Sequence, residues 1–211
     1  MRIAITQRVE WLKDRGERRD CLDQAWPTRL VEIGYAPFPI PNTLSDPVEW
    51  VKAADIDGFL LTGGNDLTYV PEADNPAPER DRTEYKILEF AARNAIPVLA
   101  HCRGLQMMNT YMGGDISPCS GHVATRHSLT WRGENGHDMT EVNSYHNWGV
   151  KEADLAEEAE VLAVAEDGSI EAFRHKQLPW LALMWHPERE PELRSQDHVL
   201  IKACFEHHHT Q

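Results

Sequence analysis

The chain has 211 residues, of which 41% are hydrophobic and 26% are charged, a composition typical of one soluble globular domain. Its net charge of −13 argues against nucleic acid or an anionic membrane as the main partner, and no apolar run approaches the ~20 residues of a membrane span. Four scattered cysteines without C-x-x-C spacing favour a reducing compartment. We therefore expect a single cytoplasmic domain over residues 1–211.

Strand-like and helix-like segments alternate along the chain, which is typical of a parallel sheet covered by helices on both faces. We predict strands over residues 2–6, 36–40, 58–62, 96–101, 140–144, 161–165, 170–174 and 181–185. We predict helices over residues 18–33, 47–54, 79–94, 104–112 and 193–207, with Pro27 marking a kink or a late start of the first. Residues 113–138, rich in Gly, His and Ser, are expected to be irregular and to border a cleft. The expected fold class is α/β: a flavodoxin-like, mostly parallel sheet with a small antiparallel extension.

A basic segment follows the first predicted strand, at the edge where α/β sheets bind ligands. Its cationic residues are Arg8, Lys13, Arg15, Arg18 and Arg19. We predict that Arg8, Arg18 and Arg19 hold a phosphate or carboxylate of a substrate. The alternative is a solvated helix face with alternating charge.

The pair Gly63-Gly64 directly follows the predicted strand 58–62. Glycines at such a point let the main chain come within hydrogen-bonding distance of a ligand. A plain tight turn also accounts for a glycine pair, so the pattern by itself leaves both interpretations open.

The segment around Cys102 is the most informative part of the sequence. A short apolar strand runs directly into Cys102, and a predicted helix follows it. Two small residues, Ala100 and Gly104, stand two positions before and after the cysteine. This is the layout of a nucleophile elbow, in which a sharp strand-to-helix turn presents a reactive side chain, and the helix N-terminus favours its thiolate form. A buried structural cysteine is the alternative.

The second half of the chain contains a matching signal. The apolar run 180–185 ends in His186-Pro187-Glu188, and because proline disfavours helix in the preceding residue, His186 is expected to be extended. The side chains of His186 and Glu188 then project to the same side. A carboxylate there can orient the imidazole while the imidazole deprotonates a thiol. A strand-terminating turn is the alternative, but together with Cys102 the pattern predicts a Cys-His-Glu triad.

Four segments, in this order along the chain, resemble class I glutamine amidotransferase domains, and among these the free-standing γ-glutamyl hydrolases. The segments are Leu60-Leu-Thr-Gly-Gly-Asn65, His101-Cys-Arg-Gly-Leu-Gln106, Val142-Asn-Ser-Tyr-His146 and Trp185-His-Pro-Glu188. The second and third are especially similar to bacterial hydrolases that cleave γ-glutamyl-γ-aminobutyrate, although Ala100 stands where that family usually has glycine. The basic segment also resembles that of hydrolases acting on γ-glutamyl-CDP-amidate.

The resemblance implies roles for further residues. It implies that the backbone N–H groups of Gly64 and Arg103 hold the oxyanion of a tetrahedral intermediate. It implies that Gln106 holds the glutamyl group of the substrate, where a solvent-facing polar side chain is the alternative. The polar segment 143–149 would grip the α-amino and α-carboxylate groups, unless its side chains only cap one another. The residues expected to make this contact are Tyr145, Asn147 and Trp148.

Eleven histidines raise the question of a metal site. The candidates are His122, His127, His137 and His146, together with the terminal run His207-His208-His209. None has the short paired spacing of a structural zinc site. We therefore expect neither a metal nor another cofactor, and we expect the terminal run to be a frayed helix end.

Three functions remain open from the sequence. In the first, Cys102 attacks the γ-carbonyl of a small γ-glutamyl amide, His186 serves as base and then acid, and Glu188 orients it, so that glutamate is released through a thioester. The second is a glutaminase subunit that passes ammonia to a synthase on another chain. The third is a catalytically silent regulatory relative. The intact triad and the lack of a fused synthase domain favour the first; a synthase partner or a homodimer remains open.

Overall fold

The structure, a computed structural model, describes residues 1–132 and 140–206. Its strands in chain order are β1 (Arg2–Ile5), β2 (Arg8–Leu12), β3 (Glu17–Cys21), β4 (Ala36–Pro39), β5 (Gly58–Leu61), β6 (Val98–His101), β7 (Ser117–Pro118), β8 (Val123–Trp131), β9 (Glu141–Tyr145), β10 (Trp148–Gly149), β11 (Ala159–Ala165), β12 (Ile170–His175) and β13 (Trp180–Leu183). Its helices are α1 (Ala25–Glu32), α2 (Pro47–Ala53), α3 (Pro78–Asn94), α4 (Arg103–Tyr111) and α5 (Ser195–Glu206). Within these residues, no helix has the length and apolar character needed to cross a membrane.

A nine-stranded sheet forms the centre of the fold, in the order β4-β1-β5-β6-β13-β12-β11-β8-β9. The first five strands are parallel. The last four continue the same sheet in antiparallel fashion. Strands and helices alternate through the parallel part, which confirms the expected α/β, flavodoxin-like fold with helices on both faces.

Helices cover both faces of the parallel part because its strands are apolar on both sides. Phe59 and Leu61 of β5 pack in the core that also holds apolar side chains of α2, α3 and α4. Leu60, between them, packs with Ile3 of β1 on the opposite face, against α1 and α5. All four are fully buried, and each such burial stabilises the fold by about 1.5–3 kcal/mol. The alternation of strand side chains thus builds two cores from one sheet.

The predicted start of the first helix is wrong. Residues 18–21 belong to β3, which pairs antiparallel with β2, and α1 begins only at Ala25, so that Pro27 falls in its first turn, where proline is tolerated. The hairpin turns at Gly16, whose φ is 65°. Only Val9 in the hairpin is buried, so the two strands lack the alternation of apolar and polar residues by which a strand is recognised in sequence. The basic segment is therefore a hairpin and not a charged helix face.

The expectation of an irregular segment over residues 113–138 is also wrong for its described part. β7 and the nine-residue β8 lie there, and β8 pairs with both β9 and β11. Only Leu129 of β8 is buried, so the strand lacks the apolar alternation by which a strand is recognised in sequence. Residues 133–138 of this segment, and His207 at the end of the last predicted helix, lie outside the described residues.

Candidate active site

Cys102 and His186 are brought together by two neighbouring parallel strands. β6 pairs with β13 in a register that sets His101 opposite Leu183, and the backbone N–H of Cys102 donates to the carbonyl of Leu183 at 2.9 Å. Cys102 directly follows β6, and His186 lies three residues beyond β13. Both residues therefore lie at the carboxyl edge of the parallel sheet, where α/β folds gather their ligand-binding side chains.

The backbone at Cys102 is strained. Its φ is 51° and its ψ is −108°, a combination that costs a non-glycine residue on the order of 1–3 kcal/mol. Gly104 permits the sharp turn, because a Cβ at this position would lie 2.4 Å from the carbonyl oxygen of Leu61. Ala100, two residues before the cysteine, is fully buried. The turn places Cys102 immediately before α4, where unpaired N–H groups favour a thiolate.

His186 is held by a carboxylate and by an amide. Its Nδ1 lies 2.7 Å from Oε1 of Glu188, and both side chains are buried. The side chain of Asn143 accepts a hydrogen bond from the backbone N–H of His186 at 2.9 Å and donates one to its carbonyl at 2.8 Å. Asn143 thus fixes the backbone of His186, while Glu188 fixes the orientation of its ring. The sequence placed Asn143 in the polar segment 143–149 but did not predict its contact with His186.

Cys102 and His186 shift each other's ionisation. Burial opposes the thiolate, but the charge and the hydrogen bond of His186 outweigh burial, so the pKa of Cys102 is lowered. Burial also opposes the charged imidazole, yet interactions with Cys102 and Glu188 raise the pKa of His186 to about 9. Both directions favour a thiolate–imidazolium pair, the state in which a cysteine is a ready nucleophile.

The glycine pair lies against the histidine. A Cβ on Gly63 would lie 2.8 Å from Cε1 of His186 and 3.5 Å from Cβ of Cys102, so only glycine fits there without a shift. Gly64 has a φ of 79°, in the left-handed region that glycine adopts freely. These two constraints give a physical reason for both glycines beside the candidate nucleophile.

A buried arginine holds the glycine loop from behind. Arg80, at the start of α3, has no exposed surface and donates to the carbonyl oxygens of Thr62 at 2.6 Å, Gly63 at 3.0 Å and Gly64 at 2.5 Å. Its Nε donates to the buried carboxylate of Glu84 at 2.7 Å. Three consecutive carbonyls are therefore bound by one rigid guanidinium.

The same carboxylate reaches the residue after the nucleophile. The buried side chain of Arg103 forms ion pairs with Glu84 and with Asp81. Burial opposes ionisation of Glu84, but the charges of Arg103 and Arg80 outweigh it and lower its pKa. The two backbone positions implied as oxyanion donors, Gly64 and Arg103, are thus tied into one buried ion network. The sequence does not single out Arg80, Asp81 or Glu84. Its one signal for them is an Arg–Glu pair at i,i+4 near a helix start.

The residues expected to hold the glutamyl group lie at different distances from the centre. Gln106 is buried in α4 and donates from Nε2 to the carbonyl of Trp148 at 2.8 Å. The ring of Tyr145 lies 5.7 Å from that of His186, edge to face. Asn147 is exposed, and its carbonyl accepts from the N–H of Cys119 at 2.9 Å. The structure thus sets Tyr145 against His186 and joins Gln106 to Trp148.

A cleft opens next to His186 and Glu188. Its lining residues are Arg8, Cys21, Asp23, Trp26, Thr62, Gly63, Gly64, His186, Glu188 and Arg189. Arg8 packs its aliphatic part against Gly64. Arg18 and Arg19, in contrast, form ion pairs with Glu79 and Glu17 and do not line the cleft.

Arg189 is a cleft residue that the sequence did not indicate. It follows Glu188 in a short 3-10 turn, Pro187–Arg189. Its guanidinium lies 4.3 Å from the centre of the Tyr145 ring, a distance at which cation–π attraction holds it in place. With Arg8 it gives the cleft two cationic side chains.

Two of the candidate metal-binding histidines lie together. His122 and His146 meet Glu171 in a buried cluster whose facing atoms all lie within 4.8 Å of one another. His127 approaches the same carboxylate, at 3.3 Å. His137 and the terminal run His207-His208-His209 lie outside the described residues.

The chain is similar in sequence to one protein family and to several γ-glutamyl hydrolases. The family model for peptidase C26 matches residues 3–130 and 120–188 of the chain. The chain is 34% identical over 197 residues to the γ-glutamyl-CDP-amidate hydrolase of Campylobacter jejuni, and the match covers 92% of this chain and 94% of that protein. It is 25% identical over 227 residues to the γ-glutamyl-γ-aminobutyrate hydrolase of Escherichia coli strain K12, with 91% and 86% covered.

Solved structures share the fold. A glutamine amidotransferase from Thermotoga maritima superposes with a TM-score of 0.66 at 18% identity, covering 89% of this chain and 76% of that one. A Thermoplasma acidophilum protein assigned to GMP synthase gives a TM-score of 0.69, also at 18% identity, covering 97% and 92%. The α/β fold expected from the sequence is therefore confirmed.

Proposed function

The chain belongs to the peptidase C26 family, and from this premise we propose that it is a cysteine-dependent hydrolase of the γ-glutamyl amide bond in a small γ-glutamyl compound. The observation that carries the proposal is the strained turn that sets Cys102 beside the His186–Glu188 pair. The named relatives from C. jejuni and E. coli, both γ-glutamyl hydrolases, support the same bond. We propose that residues 1–211 act as one domain.

In the first half of the proposed reaction, the amide bond breaks and a thioester forms. The thiolate of Cys102 attacks the γ-carbonyl carbon, and the carbonyl oxygen takes up the negative charge. The backbone N–H groups of Gly64 and Arg103 hold this oxyanion. The imidazolium of His186 then gives its proton to the leaving nitrogen, so that the amine departs neutral and the acyl group stays on sulfur.

In the second half, water replaces the amine. The neutral imidazole of His186 takes a proton from a water molecule as the water attacks the thioester carbonyl. Collapse of the second tetrahedral intermediate breaks the carbon–sulfur bond, releases glutamate and restores the thiolate–imidazolium pair. Glu188 keeps the ring of His186 oriented through both halves and stabilises its charged form.

The two arginines of the cleft support an anionic leaving group. Arg8 and Arg189 line the cleft together with the carboxylates of Asp23 and Glu188, in a chain whose overall charge is −13. Arginine binds phosphate and carboxylate groups through its planar fork of donors. We therefore propose that the amine released from glutamate carries a phosphate or diphosphate, as in the substrate named for the C. jejuni relative.

A glutamate-release assay tests the function. The substrates are glutamine, γ-glutamyl-γ-aminobutyrate and a γ-glutamyl amidate of a nucleoside diphosphate, each with the wild-type chain and with Cys102→Ala. The expected result is the highest kcat/KM on the amidate and none above background for the variant. Preference for glutamine would instead favour a glutaminase that supplies ammonia to a synthase, and no turnover of any substrate would favour a silent relative.

A further inference from the structure

A second polar centre lies in the antiparallel part of the sheet. Glu171 of β12 has no exposed surface, although a buried carboxylate without compensation costs several kcal/mol. Three histidines face it: His122 before β8, His127 within β8 and His146 after β9. The pairing of β8 with β9 sets two of them side by side, since the N–H of His146 donates to the carbonyl of His122 at 3.0 Å.

The atoms that face one another in this cluster are too far apart for hydrogen bonds. Nδ1 of His122 lies 3.8 Å from Oε1 of Glu171, and Nε2 of His146 lies 3.7 Å from the same oxygen. Both nitrogens, and both carboxylate oxygens, lack a hydrogen-bond partner. Oε2 of Glu171 lies 3.3 Å from Nε2 of His127, but Oε1 and the two inward nitrogens converge without a hydrogen bond. Such a group is unusual, because buried polar groups are nearly always paired.

The outward nitrogens of the same two histidines are, in contrast, engaged. Nε2 of His122 lies 3.1 Å from Oδ2 of Asp167, which Ser169 also contacts. Nδ1 of His146 lies 3.0 Å from the carbonyl oxygen of Trp148. Sγ of Cys119 also lies 3.3 Å from Nδ1 of His146. When each imidazole is neutral, an acceptor at the outward nitrogen holds the ring proton there and leaves a lone pair on the inward nitrogen. Carboxylate and carbonyl partners of this kind orient the histidine ligands of metal ions.

We propose that this cluster is a binding site for a zinc-type transition-metal ion, with Nδ1 of His122, Nε2 of His146 and a carboxylate oxygen of Glu171 as its three protein ligands. Metal–ligand bonds of about 2.0–2.2 Å set tetrahedral ligand atoms about 3.3–3.6 Å apart. The two nitrogens lie 3.7 and 3.8 Å from Oε1, and all three ligand atoms lie within 4.8 Å of one another. Two imidazoles with one carboxylate suit zinc better than calcium or magnesium, which prefer oxygen ligands.

The remaining neighbours of the site support it from outside. His127 faces the other oxygen of the carboxylate: its Nε2 lies 3.3 Å from Oε2 of Glu171. The carbonyl of Trp148 that orients His146 also accepts from Gln106 in α4. A bound ion would therefore cross-link β12, the start of β8 and the loop between β9 and β10. Binding of this ion does not depend on the γ-glutamyl reaction proposed above.

Zinc content and thermal stability test the site. All measurements use the full-length chain with His207→Gln, His208→Gln and His209→Gln introduced, because a run of three histidines can bind zinc by itself. The protein is stripped with a chelator, loaded with zinc and freed of excess, and the bound zinc and the Tm are measured. We expect one zinc per chain and a rise in Tm. Glu171→Gln should abolish both, and Asp167→Asn should weaken zinc binding about 10–100-fold.

Matched variants separate this site from others. His198→Gln and Glu160→Gln, which change the same residue types outside the cluster, should keep the zinc, and so should Cys102→Ser. Cobalt in place of zinc should give visible bands without a sulfur charge-transfer band, because no thiolate is a ligand. Asp167 is partly exposed, so its variant remains informative if Glu171→Gln does not fold. Zinc binding unchanged by Asp167→Asn, or lost only with Cys102→Ser, would overturn the proposal.

Discussion

Two buried centres of the molecule each set histidine against glutamate, but the distance between nitrogen and carboxylate oxygen differs. At the first, Nδ1 of His186 lies 2.7 Å from the carboxylate of Glu188, close enough to share a proton. At the second, the inward nitrogens of His122 and His146 stand 3.8 and 3.7 Å from Glu171, too far for a hydrogen bond but suited to an ion between them. Separation, more than residue type, is therefore the basis on which we propose proton transfer at the first centre and cation binding at the second.

The largest expected effect concerns the nucleophile. Cys102→Ala should lower kcat/KM on a γ-glutamyl amide by about 10⁴-fold or more, because the covalent step is lost. The fold should be retained, since alanine keeps the Cβ of Cys102 and only the interaction of its thiol with His186 is lost. Activity and calorimetry of the purified variant measure both. Near-normal turnover would show that the first centre is not a thiol-dependent site.

The histidine of the first centre gives the next largest effect. His186→Ala should lower kcat/KM by about 10³-fold or more, since the leaving nitrogen then lacks its proton donor. It should also slow alkylation of Cys102 by iodoacetamide at neutral pH, because the interaction that lowers the pKa of the thiol is removed. The control is His146→Ala, which removes a histidine of the second centre and should reduce activity less than His186→Ala. If it removes activity as fully as His186→Ala, then the assignment of the base is wrong.

The ion network behind the glycine loop should affect stability by an intermediate amount. Arg80 and Glu84 form an i,i+4 pair on α3 with no exposed side-chain surface. Arg80→Met would remove one of the two arginines that pair with Glu84 and leave three carbonyls without their donor, at a cost of about 3–5 kcal/mol. Glu89 and Arg93 form an i,i+4 pair on the same helix but largely exposed, so Arg93→Met should cost below about 0.5 kcal/mol. Urea unfolding measures both.

Arg80→Lys adds a test of position. Lysine keeps the charge but lacks the planar fork that binds the carbonyls of Thr62, Gly63 and Gly64. We expect kcat to fall while KM changes little, since the loop serves the transition state more than ground-state binding. Equal effects of Arg80→Met and Arg93→Met on stability would mean that the network does not hold the loop.

The first centre was predictable from sequence because each of its two signals is a short continuous segment. Cys102 ends one apolar run and His186 ends another, and β6 and β13 proved to be neighbours in the sheet. The second centre was not predictable, since the antiparallel register that joins His122 to His146 follows from β8, a strand without apolar alternation. Glu171 gave no signal either, because one acidic residue in a predicted strand does not reveal its neighbours.

Residues that act from behind the site were missed for a similar reason. Arg80 reaches the glycine loop across 16–18 residues, and Asn143 reaches His186 across 43. Such contacts depend on how α3 and β9 pack against the parallel strands. Local spacing cannot supply that information, whereas it suffices for the pair His186 and Glu188, which lie two residues apart.

The pH dependence sharpens the account of the first centre. The pKa of Cys102 is lowered and that of His186 is raised to about 9, so the ion pair persists through neutral pH. Activity should fall on the alkaline side above about 9, as His186 loses the proton that the leaving group needs, and on the acid side as the thiolate is protonated. Glu188→Gln removes an interaction that raises the pKa of His186, so its alkaline limb should move to lower pH. An unmoved limb in the kcat/KM profile would contradict the role of Glu188.

The smallest expected effect concerns the arginines of the cleft. Arg8, which also pairs with Glu10, and Arg189, which lies 3.8 Å from Glu188, line the cleft. Arg18 and Arg19 pair with Glu79 and Glu17 and do not line it. Arg8→Gln or Arg189→Gln should raise KM for a phosphate-bearing γ-glutamyl amide about tenfold, the effect of one charge-assisted hydrogen bond in a partly exposed site.

The matched variants Arg18→Gln and Arg19→Gln should leave that KM unchanged, although the sequence placed all three hairpin arginines at the substrate. KM for neutral glutamine should not respond to any of the four, because a charge-assisted contact contributes only when its anion is present. Added salt should reduce the difference between the two substrates, since charges in an open cleft are screened over ~8–10 Å. Equal losses on charged and neutral substrates would mean that Arg8 and Arg189 support the glycine loop and the Tyr145 ring without binding an anion, and the proposed phosphate-bearing leaving group would then lack its main support.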